Sequence, residues 1–204
     1  MRKLIVAAMT SLDGVVQAPG GPEEDTSGGF AYGGWVWPYF EDGEDAMGGA
    51  FKRPFELVLG RRTYDIFAAY WPHVPEDAGH RDIADLFNSV AKHVATHHPA
   101  TLAWQNSHAL GPDITNAVRE LKRGDGPDLL TQGSSDLVRQ LLATDVVDEL
   151  RLLIYPVLLG KGKRLFDDRT QATAFRIQAS KTSSTGVLIT HYVREGEVGT
   201  GSFR

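Results

Sequence analysis

The sequence predicts an α/β fold with a mostly parallel sheet and an antiparallel C-terminal hairpin. Short apolar runs alternate with segments of helical periodicity along most of the 204-residue chain. Several of these runs contain almost no polar residue, as expected of strands that are covered on both faces of a parallel sheet. Two strand-like segments near the C-terminus follow each other without an intervening helix, which indicates an antiparallel edge.

The composition limits the possible functions. The chain has 204 residues, of which 42% are hydrophobic. This length and composition predict one domain, which we place at residues 1–193. A net charge of −5 and the lack of a large basic cluster argue against nucleic acid as a partner. The absence of cysteine excludes disulfides and thiolate metal sites and fits a reducing, cytoplasmic compartment. The apolar start is too short for a signal peptide, and no later segment resembles a membrane span.

The first predicted strand covers residues 4–9 and leads into Ser11, Leu12, Asp13 and Gly14. Open α/β sheets bind ligands beyond the carboxyl ends of their strands, and Asp13 stands at such an end. Asp13 is therefore a candidate catalytic and substrate-binding residue, although an aspartate before a glycine is also a common turn residue.

A long loop follows at residues 17–34, where Gly, Pro, Glu, Asp and Ser dominate. We predict that it is a mobile lid. The aromatic residues after it could edge the lid, or could pack in the core or against a second copy of the chain. Residues 41–52 predict a weak acidic helix that glycines interrupt.

The second predicted strand, Phe55 to Gly60, ends at a glycine, and Arg61, Arg62 and Thr63 open the next helix. A helix that begins directly after a strand points unpaired N–H groups at the edge of the sheet, and arginine suits phosphate recognition. The pattern indicates an anion site, while a solvated surface is the plainer explanation of paired arginines.

The alternation continues through the middle of the chain. Spacing and composition predict a helix over residues 80–90, strands over 91–96 and 101–107, and a helix that Asp113 caps and Gly124 ends.

Residues 128–162 predict a strand, a glycine turn, a helix and another strand, because the apolar period changes at Gly133. Ser134 or Ser135 could cap the helix, whose N–H groups would form a second anion site. A simple strand-to-helix turn also favours these small residues. Strands at 175–182 and 186–193 with a hairpin connection, and a loose tail at 194–204, complete the prediction.

In their order along the chain, these motifs resemble the stand-alone branch of the dihydrofolate-reductase-like superfamily, related to the reductase domain of bacterial riboflavin biosynthesis. The resemblance covers residues 3–193. It rests on Ser11 to Gly14, Gly60 to Tyr64, Trp104 to Ser107, Gln132 to Ser134 and, most specifically, Val147 to Phe166.

This resemblance implies a three-layer α/β/α fold, NADPH as hydride donor, a small-molecule substrate and commonly a homodimer. The adenosine 2′-phosphate and ribose would meet Gly60, Arg61 and Thr63. The pyrophosphate would meet Gly133, Ser134 and Ser135, and the nicotinamide carboxamide would meet the backbone of Ala8. The candidate substrate-binding residues are Asp13, Gln132 and Tyr155. Tyr155 could form the far wall of the site, although a packed tyrosine is the plainer explanation.

Two departures leave the substrate open. Gln132 stands where related reductase domains ordinarily have a glutamate, and a neutral amide cannot form the charge-assisted bonds of a carboxylate. The zinc signature of the partner deaminase domain is missing as well.

The resulting hypothesis is an NADPH-dependent reductase of a small heterocyclic or ribosylated pyrimidine- or pterin-like substrate. In it Asp13 orients the substrate or, through a water, supplies a proton. A non-catalytic nucleotide sensor and a dihydrofolate or pterin reductase are the alternatives. We expect no metal site, because adjacent His97 and His98 would point to opposite faces of a strand and no metal-ligand spacing occurs.

Overall fold

A computed structural model describes residues 1–40 and 49–203. The strands are β1 (Leu4–Ser11), β2 (Phe55–Gly60), β3 (Lys92–Ala95), β4 (Ser107–Ala109), β5 (Asp128–Thr131), β6 (Glu149–Tyr155), β7 (Ala174–Thr182) and β8 (Leu188–Gly196). The α-helices are α1 (Arg61–Tyr70), α2 (Arg81–Ser89), α3 (Ile114–Arg123) and α4 (Ser135–Leu142). The weak helix predicted for 41–52 falls mostly on residues 41–48, which lie outside the described part of the chain.

All eight strands form one sheet in the order β4-β3-β2-β5-β1-β6-β8-β7. The pairs from β4 to β6 are parallel, whereas β8 runs antiparallel to both β6 and β7. The predicted mostly parallel sheet with an antiparallel C-terminal hairpin is therefore confirmed.

Helices cover both faces of the sheet. On one face, Leu57 and Leu59 of β2 belong to a buried cluster with Tyr64 of α1 and Phe87 of α2. On the other face, residues of β1 and β5 pack against α3 and α4 in a second cluster that includes Leu4, Val6, Val118, Leu129, Val138 and Leu141. This arrangement is the three-layer α/β/α fold that the resemblance implies.

A third apolar cluster attaches the long loop to the sheet. Phe30 and Trp35 are buried together with Val15, and they pack with Leu153 and Tyr155 of β6. The loop thus has a core of its own beside β6, and its predicted mobility stays a prediction.

The predicted strand at residues 101–107 is wrong. A 3₁₀ turn occupies Pro99–Thr101, and β4 begins only at Ser107. Side-chain contacts replace a strand ladder here, because the Trp104 backbone N–H donates to the Tyr64 hydroxyl at 2.9 Å and its indole N–H donates to Asn88 at 2.7 Å.

The C-terminal boundary also differs from the prediction. Gly196 pairs with Ala174, so β8 extends through the first three residues assigned to the loose tail. The predicted cap of α3 is confirmed, since the Asp113 carboxylate accepts the Asn116 N–H at 2.9 Å. Among the described helices, none has the length and apolarity needed to cross a membrane.

Candidate functional site

The two predicted glycine turns meet at one edge of the sheet. β2 and β5 are parallel neighbours, and the Gly60 N–H donates to the Gly133 carbonyl at 3.5 Å. A Cβ on Gly60 would collide with the Ser134 hydroxyl, and a Cβ on Gly133 would lie 3.1 Å from the Thr63 hydroxyl. The beginnings of α1 and α4 therefore converge, and only residues without side chains permit so close an approach.

Both helix beginnings lack a side-chain cap. Gly60 is the N-cap of α1, and Ser134 occupies the N-cap of α4 without making a capping bond through its hydroxyl. The predicted capping by Ser134 is thus not made. The first turn of an α-helix has N–H groups without intrahelical partners, and with no side chain bonded to them they can bind an anion.

β1 continues beyond its neighbour β5, and we call the space beside this extension the crevice. β5 pairs with β1 only as far as Val6, opposite Thr131, whereas β6 accompanies β1 to Ser11. The carboxyl end of β1 therefore continues beyond β5 and has β6 on one side only. Ala8 lies in this extension and is buried. Met9 packs against both the cluster under α1 and the cluster under the long loop, so the crevice lies between these two.

Gln132 directly follows Thr131, the last residue of β5. Its side-chain carbonyl oxygen is buried and has no hydrogen-bond partner among the described residues. A buried acceptor without a partner is costly and uncommon in folded proteins. Gln132 is therefore a candidate acceptor for a ligand N–H or O–H group.

Arg61 lies on the β3 side of the crevice. Its Nε donates to the Asp65 carboxylate at 2.8 Å, and one terminal nitrogen donates to the hydroxyls of Thr101 at 2.6 Å and Thr96 at 3.2 Å. Asp65 and Thr101 also line a cavity of about 530 Å³ that extends along α1 to Trp104. This cavity adjoins Arg61 and does not lie over the glycine turns.

Asp13 is fully engaged by its own surroundings. Its carboxylate accepts the Ser11 hydroxyl at 2.6 Å and the backbone N–H groups of Leu159 at 3.1 Å and Gly160 at 2.9 Å, and Arg164 lies 3.3 Å away. The Ser11 bond, together with the backbone N–H donors and against the effect of burial, lowers the pKa of Asp13 to about 2. The carboxylate is ionised at neutral pH, and it fastens residues 159–164 to the end of β1.

Asp25 is a second anchor that the sequence did not reveal. Its side chain is 7% exposed, and its oxygens lie 2.7 Å from Arg62 at the start of α1 and 2.6 Å from Lys163. These partners are 37 and 138 residues away along the chain, so no local motif signals the contact. Residues 159–164 are therefore fastened by two carboxylates, Asp13 and Asp25.

Tyr155 ends β6 as a packed core residue. It is 4% exposed, with the rings of Trp35 and Tyr39 edge-on at centroid distances of 5.3 and 5.9 Å. Burial raises the pKa of Tyr155 to about 12. The phenol therefore stays neutral across the physiological range. In the described part of the chain, no group of three or more potential metal ligands occurs.

The three-layer α/β/α fold with this mixed sheet is a dihydrofolate-reductase-like fold. Within that class, the chain belongs to the RibD C-terminal domain family, whose model matches residues 2–189.

Two Bacillus subtilis (strain 168) proteins are similar in sequence. YyaP is 29% identical over 132 residues, covering 65% of this chain and 70% of that protein. YwjB is 23% identical over 193 residues, covering 95% of this chain and 98% of that protein. Both are described as uncharacterized.

Three solved structures share the fold. A Shewanella sp. PV-4 protein provisionally described as a riboflavin biosynthesis protein has a TM-score of 0.66 and 18% identity, covering 96% of this chain and 99% of its own. A pyrimidine reductase-like protein of Corynebacterium diphtheriae has a TM-score of 0.56 and 14% identity, with coverages of 96% and 93%. Dihydrofolate reductase from Enterococcus faecalis, solved in complex with NADP(H) and RAB-propyl, has a TM-score of 0.55 and 14% identity, with coverages of 94% and 96%.

Proposed function

We propose that this protein is an NADPH-dependent reductase that transfers a hydride to a small heterocyclic or ribosylated pyrimidine- or pterin-like substrate. The convergence of the Gly60 and Gly133 turns is the observation that carries the proposal. Two uncapped helix beginnings at one sheet edge suit a ligand with two separated phosphate groups. Membership of the RibD C-terminal domain family supports this reading.

The residues present fit the cofactor. Gly60 and Gly133 let the two helix beginnings approach each other closely, and the α4 start with Ser134 and Ser135 would hold the pyrophosphate. Arg61, together with Gly60 and Thr63, would hold the adenosine 2′-phosphate, for which a guanidinium is well suited. The backbone of Ala8, beyond the end of β5, would bind the nicotinamide carboxamide. Bound NADPH would supply the hydride.

The substrate would bind over the end of β1. Gln132, whose side-chain carbonyl oxygen has no partner among the described residues, would provide an acceptor for an N–H or O–H group, as the edge of an amide-containing heterocycle requires. Tyr155 contributes to the packed wall beyond. Asp13, ionised and engaged, orients the wall formed by residues 159–164 and is poorly suited to donate a proton.

Calorimetry tests the cofactor, and NADPH oxidation tests the reaction. We expect heat of binding with NADPH, a weaker signal with NADH, and oxidation of NADPH by at least one compound from a panel of pterins, pyrimidine ribosylamines and small carbonyl compounds. No measurable binding of NADPH would remove the basis of the proposal.

The engagement of Asp13 favours a second candidate, a nucleotide-binding sensor without turnover, because this carboxylate is ionised and already accepts three hydrogen bonds. Tight binding of NADPH without oxidation against the whole panel would support this sensor. Oxidation with pterins alone would support the folate-type reductase instead.

We also propose a homodimer. β7 is one of the two edge strands of the described sheet, and its residues from Arg176 to Thr182 are all exposed, including the half-exposed Ile177. Unprotected edge strands readily pair with another chain. Light scattering after gel filtration should give twice the monomer mass, and a charged substitution, Ile177→Lys, should lower it.

A further inference from the structure

One buried carboxylate joins three separate segments at the mouth of the crevice. Asp25 belongs to the loop at 17–34, Arg62 is the second residue of α1, and Lys163 belongs to the segment fastened to β1. Lys163 also donates its backbone N–H to the Gln17 side-chain carbonyl at 3.0 Å. Gln17 in turn donates to the Asp25 backbone carbonyl at 2.9 Å. The loop is thus bound to both sides of the crevice.

Hydrogen bonds from its own loop fix the Asp25 carboxylate in place. Asp25 also accepts the Ser27 backbone N–H at 3.1 Å and its hydroxyl at 2.6 Å, so its side chain is held in place from within the loop. Burial opposes ionisation, but the Lys163 and Ser27 donors outweigh it and lower the pKa of Asp25. Its two cationic partners remain half-exposed, with side chains 56% exposed at Arg62 and 39% at Lys163.

We propose that Asp25 is a positioning residue that holds Arg62 and Lys163 in place and closes the 17–34 loop across the crevice. The inference rests on the proposed function, because its purpose is to couple closure of the loop to dinucleotide binding. Arg62 lies in the first turn of α1, where the proposed cofactor binds. The Asp25–Arg62 contact therefore connects this helix directly to the loop beside β6.

The alternative is that Asp25 only neutralises two cations. The two roles predict opposite effects of Asp25→Asn on an anionic ligand. Removing a merely neutralising carboxylate leaves extra positive charge and tightens the binding of NADPH. Removing a positioning residue frees the loop and disorders both cations, which weakens binding.

We therefore expect Asp25→Asn to raise the Kd of NADPH roughly tenfold, as measured by calorimetry. Glu23→Gln is the matched control, because it removes the same charge from an exposed position two residues away, and it should leave the Kd within about twofold. Unchanged or tighter binding by Asp25→Asn would overturn the proposal.

Hydrogen exchange on the full chain without ligand provides a readout that does not depend on the cofactor. Amides of residues 26–30 should exchange at least tenfold faster in Asp25→Asn than in the wild type or Glu23→Gln. Equal exchange in all three chains would show that Asp25 does not hold the loop. A wild-type chain that binds no NADPH would overturn the proposed function and the coupling with it, while exchange still decides the holding role.

A double-mutant cycle tests whether Asp25 affects NADPH binding through Arg62. If Asp25 acts through Arg62, the double variant Asp25→Asn with Arg62→Met should bind NADPH no more weakly than the weaker of the two single variants. Fully additive losses would contradict this route. Should Asp25→Asn fail to fold, Arg62→Met and Lys163→Met replace it in the exchange experiment, because both side chains are partly exposed.

Discussion

Two sides of the crevice hold their shape by different physical means. Around Gly60 and Gly133, backbone atoms approach closely because side chains are absent. Across the crevice, residues 159–164 are held by the charged oxygens of Asp13 and Asp25. The first side should therefore be sensitive to added volume and the second to lost charge. Gly133→Ala tests the first half of this contrast, and Asp13→Asn tests the second.

Gly133→Ala should have the largest effect. Gly133 has φ +128, where an L-residue is strained, and the new Cβ would lie 3.1 Å from the Thr63 hydroxyl. We expect about 2 kcal/mol of strain and a roughly 30-fold higher Kd for NADPH. Calorimetry measures the Kd and urea unfolding measures the strain.

Gly124→Ala is the control for a change of glycine to alanine. Gly124 has φ −71, and its Cβ would meet nothing closer than 3.5 Å. It should bind NADPH like the wild type. If Gly133→Ala also binds normally, the glycine turn is not a backbone-contact site.

Asp13→Asn should have the next largest effect, and mainly on stability. Because the folded pKa of Asp13 is about 2 and its ordinary value is 3.8, the ionised carboxylate stabilises the fold above pH 3.8. That stabilisation is lost as pH falls towards 2. After allowance for partial solvent exposure, we expect a loss of about 1–2 kcal/mol at neutral pH.

Urea unfolding as a function of pH measures this contribution. The difference between wild type and Asp13→Asn should shrink as the pH falls from about 4 to about 2. A constant difference over that range would mean that the charge is not the stabilising feature. Lost activity with unchanged stability would restore Asp13 as a residue that acts on the substrate.

The contrast between the two sides also explains what the sequence could reveal. Strand, glycine and helix beginning are neighbours in the sequence, so the turns at Gly60 and Gly133 were visible as patterns of residue type. The pairing of these turns followed from the rule that parallel strands share a carboxyl edge. The fold class was predictable on the same grounds.

The charged side of the crevice could not be predicted in this way. Asp25 lies in a polar loop, and its partner Lys163 is 138 residues away, so only the folded chain brings them together. The role of Asp13 as a substrate-orienting residue or, through a water, as a proton source stays a prediction. Its position at a strand end was visible, but its donors Leu159 and Gly160 were not. The misplaced strand at 101–107 failed because tertiary contacts of Trp104 outweighed β propensity.

Arg61→Met should have a smaller effect that is specific to one cofactor. If Arg61 holds the 2′-phosphate, its loss should weaken NADPH roughly tenfold and leave NADH almost unchanged. Arg62→Met is the comparison, since a residue that acts through the loop should weaken both cofactors alike. Equal losses of both cofactors in Arg61→Met would show that its bonds to Asp65 and Thr101 are structural.

Lys92→Met should have the smallest effect, and it extends the contrast to a buried cation that contacts backbone carbonyls and an aromatic ring. Lys92 is fully buried, donates to the carbonyls of Asn88 at 2.9 Å and Gln105 at 3.0 Å, and lies 4.2 Å from the Trp104 ring centroid. Burial lowers the pKa of Lys92 to about 8 from 10.5. The desolvation cost nearly offsets these contacts, so we expect a change within about 1 kcal/mol at neutral pH.

The sign of the pH dependence separates this lysine from the carboxylates. Below pH 8 the ammonium is charged in both the folded and the unfolded chain, and the full cost of burying it is present. As the pH rises from 8 to 10.5, the folded chain loses its proton first, so the wild type should gain stability relative to Lys92→Met. Urea unfolding at several pH values in this range measures the gain. If the wild type instead loses stability relative to Lys92→Met as the pH rises, the carbonyls and the indole stabilise the charge better than water does. Backbone carbonyls and an aromatic ring would then be able to hold a buried cation without a carboxylate.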